Sequence, residues 1–104
     1  MVGAFITQTI KPGMEYTFLE WRRREGELAR KTPGFIKRFM TRSVENPNVF
    51  FYTTFWETEA QIEAFTQTPE FAKARDEVGI RAVMAESETV RVWVSEVFDD
   101  ESEL

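Results

Sequence analysis

The residue types that could carry chemistry are few in this chain, because two of the usual reactive ones are missing. The 104 residues include neither His nor Cys. Imidazole catalysis, His-ligated haem, thiol chemistry and Cys-based zinc or iron–sulfur sites are therefore excluded. Any reaction must use carboxylates, Arg, Lys, Tyr, Trp, Ser or Thr, or the reactivity of the substrate itself. We predict no metal site and no cofactor.

Two charged residues fall on helix faces that are otherwise apolar. Glu25 follows Trp21 by four residues and Phe18 by seven, inside the apolar stripe of a predicted helix. At the edge of that helix Glu25 would be an ordinary solvated residue, whereas in the interior it would be a candidate base. Arg75 follows Phe71 by four residues, so the two share a helix face. Arg75 would then either enter a pocket or pair with acidic neighbours at the surface.

The elements that must position these residues follow the order β-α-β-β-α-β. Hydrophobic periodicity and turn signals predict strands over 3–10, 35–44, 48–56 and 88–98. Helices are predicted over 14–31 and from a cap at Thr58, with a restart at Thr68-Pro69 and an end at Gly79. Residues 80–87 are left unassigned. This order predicts a ferredoxin-like α+β fold, with two helices on one face of a four-stranded antiparallel sheet.

Length and charge limit the organisation of the chain and its partners. One domain is predicted over 1–98, followed by an acidic tail over 99–104. The net charge of −5 argues against nucleic acid, although an RNA-recognition domain of the same topology is a rival interpretation. Residues 22–42 hold eight basic and two acidic residues, which form either a solvated surface or an anion-attracting one. Because no apolar run approaches a membrane span and no signal peptide is recognisable, we expect a cytoplasmic protein without membrane contact.

The strand predicted over 48–56 carries aromatic side chains on both of its faces. Phe51 and Phe55 share one face, and Phe50, Tyr52 and Trp56 share the other. If helices cover only one face of the sheet, the second aromatic face is larger than a monomer usually exposes. We therefore expect this face to meet a second subunit or a ligand, and we predict a homodimer.

Three short motifs occur in order along the chain. They are Pro33-Gly34-Phe35, Phe55-Trp56-Glu57-Thr58-Glu59-Ala60 and Thr68-Pro69-Glu70-Phe71-Ala72-Lys73-Ala74-Arg75. Together they resemble the antibiotic biosynthesis monooxygenase family, over roughly residues 3–98. The resemblance implies a dimeric α+β barrel, in which a substrate pocket lies between the sheet and the helices of each subunit.

The same resemblance implies an activity and a set of site residues. It implies a cofactor-independent monooxygenase that oxidises a small aromatic or phenolic substrate with O₂. Tyr52, Trp56 and Arg75 match residues that contact the phenol and stabilise its anion in relatives, and they are the candidate catalytic residues. The expected pocket lining is Phe18, Trp21, Phe65 and Phe71. Each of these aromatic side chains could equally be ordinary core.

Two alternative functions stay open. One is a relative that binds or degrades haem without the usual His. The haem-degrading branch resembles the pattern W-x9-W followed by F-x-x-A-H, and here Phe65 stands at the second Trp and Arg75 at the His. Ile6 or Thr7 stands where that branch has an Asn in its first strand. The other alternative is a non-catalytic domain that binds a small ligand or has a structural role.

Overall fold

The strands and helices follow the predicted order, in a computed structural model that describes residues 1–79, 83 and 91–100. The elements are β1 (Val2–Thr9), α1 (Glu15–Arg30), β2 (Phe35–Arg42), β3 (Val49–Trp56), α2 (Glu59–Thr66), α3 (Pro69–Val78) and β4 (Arg91–Glu96). The strands form one antiparallel sheet in the order β2-β3-β1-β4. The predicted ferredoxin-like α+β fold is thus confirmed. None of the described helices is long and apolar enough to cross a membrane.

The ends of several elements differ from the prediction. β2 ends at Arg42 rather than at 44, where the chain enters the turn that leads to β3. The described part of the last strand ends at Glu96, so the prediction that it reaches 98 is wrong. Residues 88–90 of that predicted strand, residues 101–104 of the acidic tail and all of 80–87 except Val83 lie outside the described residues.

The predicted restart of the second helix at Thr68-Pro69 is confirmed. The Thr68 hydroxyl accepts a hydrogen bond from the backbone N–H of Phe71, at 3.2 Å, and Pro69 occupies the first position of α3. Thr58 caps α2 in the predicted capping box with Gln61. Across the break between α2 and α3, the rings of Phe65 and Phe71 pack edge to face with centroids 5.2 Å apart.

The helices cover the inner face of the sheet, where the alternate residues of β3 are buried. Phe50, Tyr52 and Trp56 are each at most 3% exposed. Phe18 and Trp21 of α1 join Phe50 in one apolar cluster, while Trp56 joins a second cluster with Ala29 of α1 and Phe65 near the end of α2. The predicted division of the aromatic residues of β3 between two faces is confirmed.

The outer face of the sheet carries a group of partly exposed aromatic side chains. The exposed fractions are 37% for Phe5, 43% for Phe39, 42% for Phe51 and 48% for Trp93. Phe55 lies between Phe5 and Phe39, with ring centroids 6.1 Å from each. We refer to these five residues below as the outer aromatic face.

Candidate functional site

A cavity of about 310 Å³ lies between the helices and the inner face of the sheet. Its sheet wall is made by residues of like parity on two neighbouring strands, Ala4, Ile6 and Gln8 of β1 and Tyr52, Thr54 and Trp56 of β3. The volume is at the lower end of the range for small-molecule sites. It favours a ligand of one or two aromatic rings.

A continuous series of aromatic ring contacts connects the helical wall of the cavity to its sheet wall. Trp21 of α1 contacts Phe71 of α3, Phe71 contacts Phe65 of α2, and Phe65 contacts Trp56 of β3. Each pair of ring centroids is 5.2 Å apart, within the range for favourable aromatic pairs. These four residues, called the aromatic wall below, come from four different elements and converge on one apolar surface.

The structure brings six of the seven sequence-predicted site residues to the cavity. The lining includes Trp21, Tyr52, Trp56, Phe65, Phe71 and Arg75. Phe18 is not among the lining residues. It is completely buried and packs on Phe50 with ring centroids 4.6 Å apart, so it belongs to the core beside the site.

One end of the cavity is polar and almost completely buried. The Arg22 guanidinium donates through Nη1 to Glu25 Oε2 and through Nη2 to Gln8 Oε1, each at 2.8 Å. The Tyr52 hydroxyl donates to the other carboxylate oxygen of Glu25. All four residues are at most 5% exposed. We call these four residues the polar end of the cavity.

Burial and nearby charges shift the pKa values of Tyr52 and Arg22 at the polar end. Burial raises the pKa of the Tyr52 hydroxyl well above its usual value, and the Glu25 carboxylate raises it further, so Tyr52 is a neutral donor at ordinary pH. Burial lowers the pKa of the Arg22 guanidinium, while Glu25 opposes that effect. The Arg22 guanidinium also lies 4.1 Å from the centroid of the Tyr52 ring, a cation–π contact.

A second guanidinium reaches this network across helix α1. Arg38 of β2 donates through Nη1 to the backbone carbonyl of Arg22 at 2.7 Å and to the Tyr52 hydroxyl at 3.1 Å. The same nitrogen lies 3.6 Å from Glu25 Oε1. Gly26 makes this approach possible, because a Cβ at position 26 would lie only 2.5 Å from the Arg38 guanidinium carbon. A glycine inside α1, unfavourable for the helix alone, is thus required by the site.

Arg75 lies where the cavity meets solvent. Its side chain is 38% exposed, and its Nε is 3.4 Å from a carboxylate oxygen of Asp76. Thr66, which also lines the cavity, is exposed as well. Both arrangements considered from the sequence therefore occur together, since Arg75 lines the cavity and also faces an acidic neighbour.

Sequence reasoning missed Arg22, Gln8 and Arg38. Arg22 was counted within the basic segment 22–42, although it is four residues after Phe18 and three before Glu25 and so shares their helix face. Gln8 is two residues before the apolar Ile10, and alternate residues of a strand share a face. Both side chains are buried on the inner face of the sheet. No sequence signal marks Arg38, whose role depends on the pairing of β2 with β3.

The described residues include no group of three or more carboxylates close enough together to hold a metal ion. Within the described part of the chain, the charged groups that line the cavity are two guanidinium groups and one carboxylate, Arg22, Arg75 and Glu25. Such an arrangement can bind an aromatic ring along the aromatic wall and hold a negative charge beside it.

A ferredoxin-like α+β domain with a small, mostly apolar cavity beneath its helices defines the general class of the protein. The sequence model of the family described as "Antibiotic biosynthesis monooxygenase" matches residues 1–77. The chain belongs to this family. No curated protein sequence matches it.

Solved structures of similar fold cover almost the whole chain. SnoaB, a cofactor-independent oxygenase from Streptomyces nogalater, has a TM-score of 0.80 and 17% identity over 98% of this chain and 97% of its own. A Nitrosomonas europaea protein, described only provisionally as an antibiotic biosynthesis monooxygenase, has a TM-score of 0.79 and 18% identity over 93% and 89%. A conserved protein from Methanosarcina mazei has a TM-score of 0.77 and 14% identity over 90% and 89%. At these identities the likeness concerns the fold.

The close approach of Arg38 to Gly26 predicts that Gly26→Ala has opposite effects in two backgrounds. In the natural sequence the new methyl group displaces the guanidinium from Tyr52 and Arg22, so the free energy of unfolding should fall. In an Arg38→Ala background there is nothing to displace, and the same change should raise the free energy of unfolding by about 1 kcal/mol through helix propensity. Urea denaturation of the four variants measures both effects. Equal stabilisation in the two backgrounds would contradict the contact.

The buried hydroxyl of Tyr52 predicts a loss of stability at alkaline pH. Above about pH 10 the unfolded chain releases the tyrosine proton while the folded chain keeps it, so the folded state binds more protons. The free energy of unfolding should then fall by up to about 1.4 kcal/mol per pH unit more than in Tyr52→Phe. Tyr16→Phe, at an 83% exposed position, is the matched control and should keep the natural pH dependence. Identical curves for the natural protein and Tyr52→Phe would refute this assignment.

Proposed function

We propose that the protein is a cofactor-independent monooxygenase that acts on a small aromatic or phenolic substrate with O₂. The observation that carries the proposal is the cavity itself, which is lined by the aromatic wall and by Tyr52 and in which the guanidinium groups of Arg22 and Arg75 supply positive charge. Family membership and the fold shared with SnoaB support it.

The reaction that fits this site draws its electrons from the substrate. A phenol that has lost its proton is electron-rich enough to reduce O₂. The products of a monooxygenation are a quinone and one water molecule, with one oxygen atom of O₂ in each. The protein must bind the ring, favour its anion and exclude bulk water. Electrostatic stabilisation of the anion is stronger in a buried site from which water is excluded. Arg75 at the mouth would stabilise the phenolate, and Trp56 would pack against its ring.

Within this proposal Tyr52 and Glu25 serve to hold the polar end in place. Both Glu25 oxygens already accept hydrogen bonds, from Arg22 and from Tyr52, and the Tyr52 hydroxyl also accepts one from Arg38. A carboxylate occupied in this way is poorly available to take a proton from a substrate. We therefore assign Glu25 a positioning role instead of that of the base.

The proposal predicts O₂ consumption without any added cofactor. Purified protein, treated with a chelator and free of flavin and haem, should convert 1-naphthol to 1,4-naphthoquinone with uptake of one O₂ per quinone. With ¹⁸O₂ the quinone should carry one labelled oxygen atom. Binding of the naphthol without O₂ uptake would favour the non-catalytic alternative, and absence of both would refute the proposal for this substrate class.

Arg75→Ala should weaken binding of a phenolate ligand and reduce turnover of the naphthol, because it removes one of the positive charges that line the cavity. The melting temperature should stay nearly unchanged, because the side chain is partly exposed and its contact with Asp76 is long. Lys73→Ala is the matched control, since it removes a positive charge from a 77% exposed position of the same helix. If both variants behave like the natural protein, Arg75 is a surface residue and has no part in the site.

We further propose that the protein is a homodimer, formed by the outer aromatic face. Five aromatic side chains on one sheet surface make a larger apolar patch than isolated domains usually expose. A second copy placed there would bury well over ~1,000 Å². Lys37, whose ammonium nitrogen lies 5.1 Å from the centroid of the Phe55 ring, borders this face and would contribute to a polar rim.

Sedimentation analysis at micromolar concentration should give a mass twice the 12.2 kDa of the chain. Trp93→Glu should convert the dimer to monomer, because it places a charge within the apolar contact. Tyr16→Glu, on the helical side of the molecule, is the control and should leave the mass unchanged. A natural protein that sediments only as a monomer would contradict the proposal.

A further inference from the structure

One donor in the polar end of the cavity has no acceptor. The Arg22 side chain is 7% exposed, and within the described part of the chain its Nε–H has no hydrogen-bond partner. The other two guanidinium nitrogens are used, by Glu25 and by Gln8. A buried unpaired donor costs roughly 1–3 kcal/mol, and more when it belongs to a charged group. Such a cost is expected where a ligand supplies the missing acceptor.

The charges around this donor do not cancel. Among the described residues the network holds two guanidinium groups, Arg22 and Arg38, but only one carboxylate, Glu25. Tyr52 adds no charge, because its hydroxyl stays protonated. When Arg38 is included, the described charged groups at this end of the cavity sum to one positive charge. An anion placed there would neutralise it in a medium where electrostatic interactions are strong.

The strand register shows where the guanidinium of Arg22 lies relative to the aromatic residues of the cavity. Gln8 of β1 pairs with Phe50, next but one to Tyr52, whereas Val2 pairs with Trp56 at the other end of the same strands. A flat ligand that lies along β3 with one substituent at Arg22 would therefore extend from Tyr52 towards Trp56. The mouth at Arg75 lies on the helical side of this path.

We propose that Arg22 binds an anionic oxygen carried by an aromatic ring, a phenolate or a carboxylate, through its free Nε–H at the polar end of the cavity. This inference rests on the proposed function, because it requires the cavity to be a ligand site. It adds the orientation of the ligand and a second cation that the sequence did not identify. Glu25, Gln8 and Tyr52 are then positioning residues that hold the guanidinium.

The test compares three probes by titration calorimetry at neutral pH. They are 2-naphthoate, 2,4-dinitrophenol, which is a phenolate at this pH, and the neutral 2-naphthamide. At least one anion should bind about tenfold more tightly than the amide, because hydrogen bonds to charged groups are the stronger ones. Which anion binds more tightly distinguishes a carboxylate ligand from a phenolate ligand.

Arg22→Lys provides the matching variant, since it keeps a positive charge beside Glu25 and so avoids an unpaired buried carboxylate. It lacks the Nε–H and should lower the affinity of the preferred anion about tenfold, while the amide loses less than about threefold. Arg23→Lys, at a 55% exposed position of the same helix, should leave all three affinities unchanged. The comparison of probes on the natural protein stands even if Arg22→Lys does not fold.

The outcomes separate this inference from the proposed function. Binding of the amide and both anions with equal affinity would overturn the role of Arg22 and leave the aromatic pocket intact. An anion preference that survives Arg22→Lys undiminished would also overturn it and would favour Arg75 as the anion-binding group. Failure of all three probes to bind would overturn both the inference and the proposed pocket.

Discussion

The buried contact between Arg22 and Glu25 determines what this domain can do. Both residues lie on helix α1, and their charges are held in the interior by Gln8 of β1 and Tyr52 of β3. A buried ion pair of this kind contributes little net stability, because desolvation opposes the attraction. Its consequence is instead geometric. Through the hydrogen bonds to Gln8 and Tyr52 it links α1 to the sheet, and it leaves a polar end in a cavity that is otherwise mostly apolar.

Several sequence features that look unfavourable in isolation follow from this one contact. Gly26 weakens α1, yet only a glycine lets Arg38 reach the carbonyl of Arg22 across the helix. Arg22 and Glu25 interrupt the apolar stripe of the same helix, yet they hydrogen-bond to each other and to Gln8 and Tyr52 of the sheet. Exceptions to a local rule that cluster in space in this way are typical of binding sites.

The fold could be predicted from the sequence because its signals are local. Thr58 and Thr68 mark helix starts, and the alternation in β3 separates Phe51 from Tyr52 whatever the tertiary structure. Most of the aromatic cavity lining followed from the same patterns and from family resemblance. Arg22 and Arg38 could not be found in this way, since a run of basic residues usually marks a solvated surface and their burial depends on strand pairing. The ends of β2 and β4 were missed because the ends of strands depend on pairing more than on residue type.

A crystal structure of the protein with 2-naphthoate tests the central claim, that the cavity is a binding site for an anionic aromatic ligand, most directly. The account predicts the naphthalene ring against the aromatic wall and one carboxylate oxygen within about 2.7–3.2 Å of Arg22 Nε. An empty cavity with the ligand on the outer aromatic face would contradict it. A carboxylate at Arg75, with the ring in the polar end, would contradict the role assigned to Arg22.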